Sequence, residues 1–65
     1  MWTTYWWGIE DEESDFCGEE FFTELRNGTK GDHEQYVKEI FPNLNLKCYG
    51  RVTEDEAEMM GLDTY

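Results

Sequence analysis

Positive charge is what this sequence has least of. Five Lys and Arg stand against sixteen Asp and Glu, a formal net charge of −11 at pH 7. Nucleic acids are held chiefly through cations on phosphates, so direct DNA or RNA binding is disfavoured. Lys47, Tyr49 and Arg51 would make one small basic strand face with a stacking ring, too little against the whole. Anionic lipid head groups would repel the chain for the same reason. Long apolar runs are missing too. No stretch approaches the roughly 18 apolar residues that span a membrane. No basic segment followed by an apolar one marks a secretory leader. The expectation is a cytoplasmic protein.

Histidine and cysteine are equally sparse: one His and two Cys. Their spacing matches no zinc site. Cys17 and Cys48 are expected to be free and buried in a reducing compartment. His33 follows a helix start on a polar turn and reads as a surface residue, with no motif that pairs it to Cys17 as a nucleophile. The acidic run from Glu10 to Asp15 has hard oxygen ligands but lacks the order of a calcium loop. There is no Gly-rich phosphate loop or nucleophile elbow. A chain of 65 residues has little room to surround a sugar between paired carboxylates, in a pocket of roughly 300 Å³ or more. An enzyme is the least favoured class, and no cofactor or metal is expected.

Aromatic residues are what the chain has in abundance: three Trp, four Tyr and four Phe. A disordered acidic tail would have few. Residues 1–65 therefore read as one small folded domain, short of buried area and compensated by large rings. Residues 2–9 are rich in strand-favouring types. Trp2, Thr4, Trp6 and Gly8 would share one face, and Thr3, Tyr5, Trp7 and Ile9 the other. Glu10, Asp11, Glu12, Glu13, Ser14 and Asp15 form a solvated loop. A short helix is expected from near Phe16, with Phe21, Phe22 and Leu25 on one face and Asn27-Gly28 as its stop. The rival is a second strand over about 15–23. The next helix starts with a capping-box pattern, Thr29 with Asp32 or Asp32 with Gln35. It carries a stripe of Tyr36, Val37, Ile40 and Phe41 and ends at Pro42.

Residues 44–52 alternate as a strand, with Leu44, Leu46, Cys48, Gly50 and Val52 as the buried set. Thr53 and Glu56 cap a last helix over about 54–60 that stops at Gly61, leaving Asp63–Tyr65 frayed. The fold class is α+β: a two- or three-stranded sheet packed with two or three short helices. The long connection would let the first and last strands lie parallel and adjacent. Open sheet edges or the N-terminal Trp cluster suggest a homodimer.

Acids at helical spacing lie about 5–6 Å apart, comparable to phosphates along a nucleic-acid strand. Glu54, Asp55, Glu56 and Glu58 would form one such array. Glu19, Glu20 and Glu24 would form another beside the Glu10, Asp11, Glu12, Glu13, Asp15 loop. These groups would occupy a basic, nucleic-acid-binding surface of another protein, in the manner of a DNA mimic, with fast and salt-sensitive association. In the alternative reading, Trp6 and Trp7, with Trp2 and Tyr5, anchor an adaptor or structural protein through hot-spot contacts.

In size, acidity and the closing pattern from Gly50 through Arg51, Val52 and Thr53 to Glu54–Gly61, the chain resembles small acidic proteins encoded by bacteriophages, including cyanobacterial phages. Many of these inhibit or redirect host enzymes. The resemblance implies a host-takeover or anti-defence role in the host cytoplasm and carries no functional residue onto this sequence.

Overall fold

A computed structural model describes residues 1–65. The chain runs β1 (Trp2–Ile9), β2 (Glu20–Arg26), α1 (Lys30–Ile40), β3 (Leu46–Val52) and α2 (Glu54–Met60). The strands form one sheet in the order β2-β1-β3. This is the expected α+β class, with three strands and two helices. The aromatic, β-branched strand β1 is central and pairs antiparallel with both neighbours. β1 and β3 were expected to be parallel. They are antiparallel because the segment after the acidic loop is a strand, not a helix. β2 returns beside β1, and the α1 crossover then lays β3 parallel to β2 on the far side of β1.

The Phe21-Phe22 pair explains β2. Phe21 is 2% exposed and Phe22 1%, and successive strand residues point to opposite faces. Both faces of the sheet are therefore covered at this point. On the α1 face, Trp7, Ile9, Phe21 and Val37 form the core, flanked by Tyr5, Phe41, Leu44, Leu46 and Cys48. On the other face Thr4, Phe22 and Val52 are buried.

The α1 cap is a reciprocal capping box. The Asp32 N–H donates to Thr29 Oγ1 at 3.2 Å, and the Thr29 N–H donates to Asp32 Oδ2 at 2.9 Å. Hydrogen bonding to the carboxylate, from the Thr29 backbone N–H first and its side chain second, holds the exposed Asp32 carboxyl below its ordinary value. The buried stripe is His33, Val37 and half-buried Phe41, at i, i+4 and i+8, rather than the expected one, because Ile40 is exposed. On α2 the Glu56 N–H donates to Thr53 Oγ1 at 3.2 Å, and Gly61 caps the C-terminus.

β3 departs from simple alternation. Trp7 pairs with Cys48 and Trp6 with Gly50, so Tyr49 is the extra residue of a bulge. Gly50 takes a φ of 122° there, a conformation that side chains resist. The bulge moves Val52 to the face opposite Leu46 and Cys48, splitting the set expected to be buried together. Tyr49 folds across Gly8, where an added Cβ would lie 2.6 Å from its ring. The C-terminal segment is docked rather than frayed: the Phe22 N–H donates to the Asp63 carbonyl and the Tyr65 N–H to the Phe22 carbonyl, each at 2.8 Å. This covers the outer edge of β2. β3 pairs with β1 alone.

Candidate functional site

The acidic loop leaves β1 after Ile9 and enters β2 at Glu20, at the sheet end where Ile9 pairs with Leu46. It is tied down at its base. The Glu10 N–H donates to the Asn45 carbonyl, the Gly18 N–H to the Ile9 carbonyl and the Ile9 N–H to the Glu19 carbonyl, each at 2.9 Å. Within it, the Ser14 N–H donates to the Asp11 carbonyl at 3.0 Å and the Cys17 N–H to the Ser14 carbonyl at 3.2 Å. The Glu13 N–H donates to Asp11 Oδ1 at 3.1 Å. The acids are thus displayed on successive hydrogen-bonded turns. Glu10, Asp11, Glu12, Glu13, Asp15, Glu19 and Glu20 lie in this segment, and Asp63 joins them from the docked C-terminal segment. Together they are half of the sixteen carboxylates. The molecule's one salt bridge is here, Lys47 Nζ to Glu10 Oε1 at 4.0 Å, with both side chains more than half exposed. Such a pair contributes about 0–1 kcal/mol.

Glu54, Asp55, Glu56 and Glu58 do not join this surface. α2 begins just after Val52, which pairs with Thr4, while the loop begins just after Ile9. Five β1 residues separate the two exits, about 17 Å at strand rise. The separate arrays expected from the sequence are thus two patches at opposite ends of β1. Three of them occupy the first turn of α2, where negative charge suits the positive end of the helix dipole.

Trp7 is withdrawn from the expected partner surface. It is 3% exposed, and its indole N–H donates to Thr23 Oγ1 at 2.8 Å. Trp6 is half-buried against Tyr49, with ring centroids 4.5 Å apart, and its buried indole N–H has no partner. Trp2 is exposed.

His33 is the largest departure from expectation, since it has no exposed surface. Its Nδ1 lies 2.7 Å from Thr23 Oγ1 and its Nε2 lies 2.8 Å from Thr3 Oγ1. Because Trp7 donates to Thr23, the Thr23 hydroxyl is free to donate to Nδ1. Nε2–H then donates to Thr3, whose hydroxyl donates to the Gly28 carbonyl at 2.8 Å. This arrangement satisfies each donor with the neutral Nε2–H tautomer. Burial pushes the His33 pKa below its ordinary value, opposed by Asp32 and assisted by Arg51. The Tyr5 ring packs on the imidazole at 4.4 Å. The network pins α1 to β1 and β2 and is a structural element, remote from the acidic loop. Cys48 is half-buried and Cys17 is exposed rather than buried; both are free thiols. No group of three or more His, Cys, Asp or Glu side chains is placed to hold a metal ion.

Two of the molecule's concavities flank the α1 side of the sheet. One, about 320 Å³, lies against the acidic end and is lined by Ile9, Phe16, Phe21, Phe41 and Tyr65 with Glu19, Glu20 and Asp63. Nothing in the sequence pattern pointed to it, because Phe16, Phe41 and Tyr65 come from three distant segments. The other, about 520 Å³, runs between α1 and β3 past Val37, Phe41, Leu44, Leu46 and Cys48. Compared with family models, curated proteins and solved structures, the chain matches none.

Proposed function

We propose that this protein acts by binding, and that its acidic end occupies a basic, nucleic-acid-binding surface of a partner protein as an anionic mimic. One observation carries the reading: half of the carboxylates share one end of the molecule, held on ordered turns, with one weakly engaged lysine among them. Unneutralised like charges destabilise a compact state, so their concentration at one end favours a use in recognition. The α2 acids belong to a different patch and are not part of the contact. The role of a phage-type inhibitor of a host protein fits this surface.

The test begins with a lysate of the host cell passed over the immobilised protein at low salt. Bound proteins are eluted with a salt gradient or with duplex DNA. A retained protein should be released by duplex DNA and between about 50 and 200 mM salt, where screening shortens. Retention should fall about tenfold or more when Glu12, Glu13, Asp15 and Glu19 are changed to Gln, Gln, Asn and Gln, because steering and contact are lost together. Unchanged retention by that variant would overturn the reading.

A second reading, an apolar-anchored adaptor, is favoured by the free edge of β3 beside the α1–β3 groove. Unpaired strand edges accept added strands. Binding of that kind would survive salt and fail on Leu46→Glu.

A further inference from the structure

We propose that the aromatic cavity at the acidic end is a receptor for an arginine side chain of the basic partner. This rests on the acidic end being the docking surface and names the chemistry by which it would hold its partner.

The cavity measures about 320 Å³, near the lower limit of small-ligand sites. Its wall is made of rings. Phe21, Phe41 and Tyr65 meet with centroids 5.0–5.5 Å apart and planes tilted by 56–63°, so they form a corner rather than a flat plate. Phe16 and Tyr65 stand 59% and 52% exposed. Phe16 stands in a loop otherwise made of acids and small residues, and its exposed ring is open to a ligand in the cavity. Rings attract cations to their faces, and guanidinium most often, because it is planar and weakly hydrated.

Carboxylates complete the recognition. Glu19, Glu20 and Asp63 line the same cavity, and none of them makes a salt bridge, since the single pair in the molecule is Lys47 with Glu10. A guanidinium entering over the rings would present a fork of N–H donors to these oxygens, the geometry in which arginine surpasses lysine. An apolar side chain would strand three carboxylates beside it. An anion would be repelled.

The cavity also explains the docked C-terminus. Tyr65 reaches Phe21 and Phe41 because its backbone is tied to Phe22. The segment that protects the edge of β2 thus supplies both a ring and, through Asp63, a carboxylate.

The experiment titrates isotope-labelled full-length protein with the capped peptide Gly-Arg-Gly, its citrulline counterpart, which has the same shape without the charge, and Gly-Lys-Gly. Aromatic signals of Phe16 and Tyr65 are followed by NMR. The arginine peptide should saturate with shifts centred on these rings. The citrulline peptide should bind about tenfold or more weakly, and lysine should fall between. Tyr65→Ala and Phe16→Ala should each weaken the arginine peptide about fivefold or more, Tyr65→Phe should bind normally, and Glu19→Gln with Glu20→Gln should weaken it about tenfold. Equal binding of arginine and citrulline peptides would overturn the proposal, as would shifts that bypass Phe16 and Tyr65. The two readings fail separately. If Phe16→Ala and Tyr65→Ala keep full DNA-releasable retention of a partner, the cavity is not the anchor while the anionic end stands. If the arginine peptide binds as described but the loop neutralisation leaves retention unchanged, the docking surface falls and the arginine site remains.

Discussion

On α2, Glu54, Asp55 and Glu56 fill the first helical turn behind the Thr53 cap. In the loop after β1, Glu10, Asp11, Glu12, Glu13 and Asp15 stand on turns whose hydrogen bonds are almost all made by backbone groups. The first set lies where a helix dipole favours negative charge. In the second set Asp11 accepts from the Glu13 N–H and Glu10 has a distant Lys47, while Glu12, Glu13 and Asp15 make no such contact and add mutual repulsion. Equal acidity therefore does not mean equal cause. One region is acidic in a way that helps a helix form, and the other in a way that folding does not explain.

This contrast requires a rigid frame between the two regions, and His33 is the part of that frame most easily broken. Its ring bridges Thr3 on β1 and Thr23 on β2 from α1. His33→Ala removes one hydrogen-bond partner from each of the Thr3 and Thr23 hydroxyls, leaves the buried Thr23 hydroxyl without its acceptor, and opens a cavity under the helix. A loss of about 3 kcal/mol or more in urea unfolding is expected. Small domains hold only about 5–15 kcal/mol in total, so this loss is a large fraction of the whole at the lower end of that range. His33→Gln, which retains hydrogen-bonding atoms, should lose less. Equal stability of His33→Ala and the parent would remove the buried network from the account.

The pH dependence has a definite sign. Folding lowers the pKa of His33 from 6.5. Above about 6.5 neither state holds the proton and the contribution is fully present. As pH falls below 6.5 the unfolded chain takes up a proton that the folded one refuses, so stability drops, by at most about 1.4 kcal/mol per pH unit. The loss is complete once pH passes below the folded value. Asp32, also lowered, contributes in the same direction, but its loss begins only as pH approaches 3.8 from above. Urea midpoints between pH 7 and 5.5 should fall for the parent and stay flat or rise for His33→Gln. Parallel curves for the two would contradict the assignment.

Much of this frame was legible in the sequence. The Thr29–Asp32 and Thr53–Glu56 pairs marked both helix starts, Gly61 marked an end, and the ring-rich segment 2–9 could hardly be anything but a strand. What was misread has physical causes. Phe21-Phe22 broke the alternation expected of a strand because both faces of β2 are covered. A helix in place of β2 let β1 and β3 lie parallel, whereas the returning strand makes them antiparallel. Gly50 carried a usable signal, since a glycine inside a strand pattern often marks a bulge. His33 was hidden by Asp32, Glu34 and Gln35 around it, although its spacing to Val37 and Phe41 placed it on the buried stripe. The docking of Asp63–Tyr65 on β2 and the cavity it completes depend on contacts between distant segments, which local pattern does not encode.

Neutralising each acidic region in turn sharpens the contrast. Changing Glu54, Asp55 and Glu56 to Gln, Asn and Gln should lower stability by about 1 kcal/mol in total through the lost dipole interaction. Thr53→Ala should cost a similar amount. Changing Glu12, Glu13, Asp15 and Glu19 to their amides should cost nothing and raise the melting temperature at low salt. A loop neutralisation that destabilised as much as the α2 set would show that both regions are acidic for folding.

The smallest effect separates the regions by their response to salt. Repulsion among exposed loop carboxylates is screened as the Debye length shortens from about 30 Å at 0.01 M to about 8 Å at 0.15 M. The parent should therefore gain roughly 0.5 kcal/mol over that range, or about 2–4 °C in melting temperature for a domain of this size. The gain should shrink to within error in the loop-neutralised variant, because the charges being screened are gone. It should persist in the α2 variant, whose loop is intact. A parent melting temperature that is flat from low to moderate salt would mean that the loop turns already spread their carboxylates far enough apart to stand together without strain, leaving the aromatic cavity as the one feature of this end that folding does not account for.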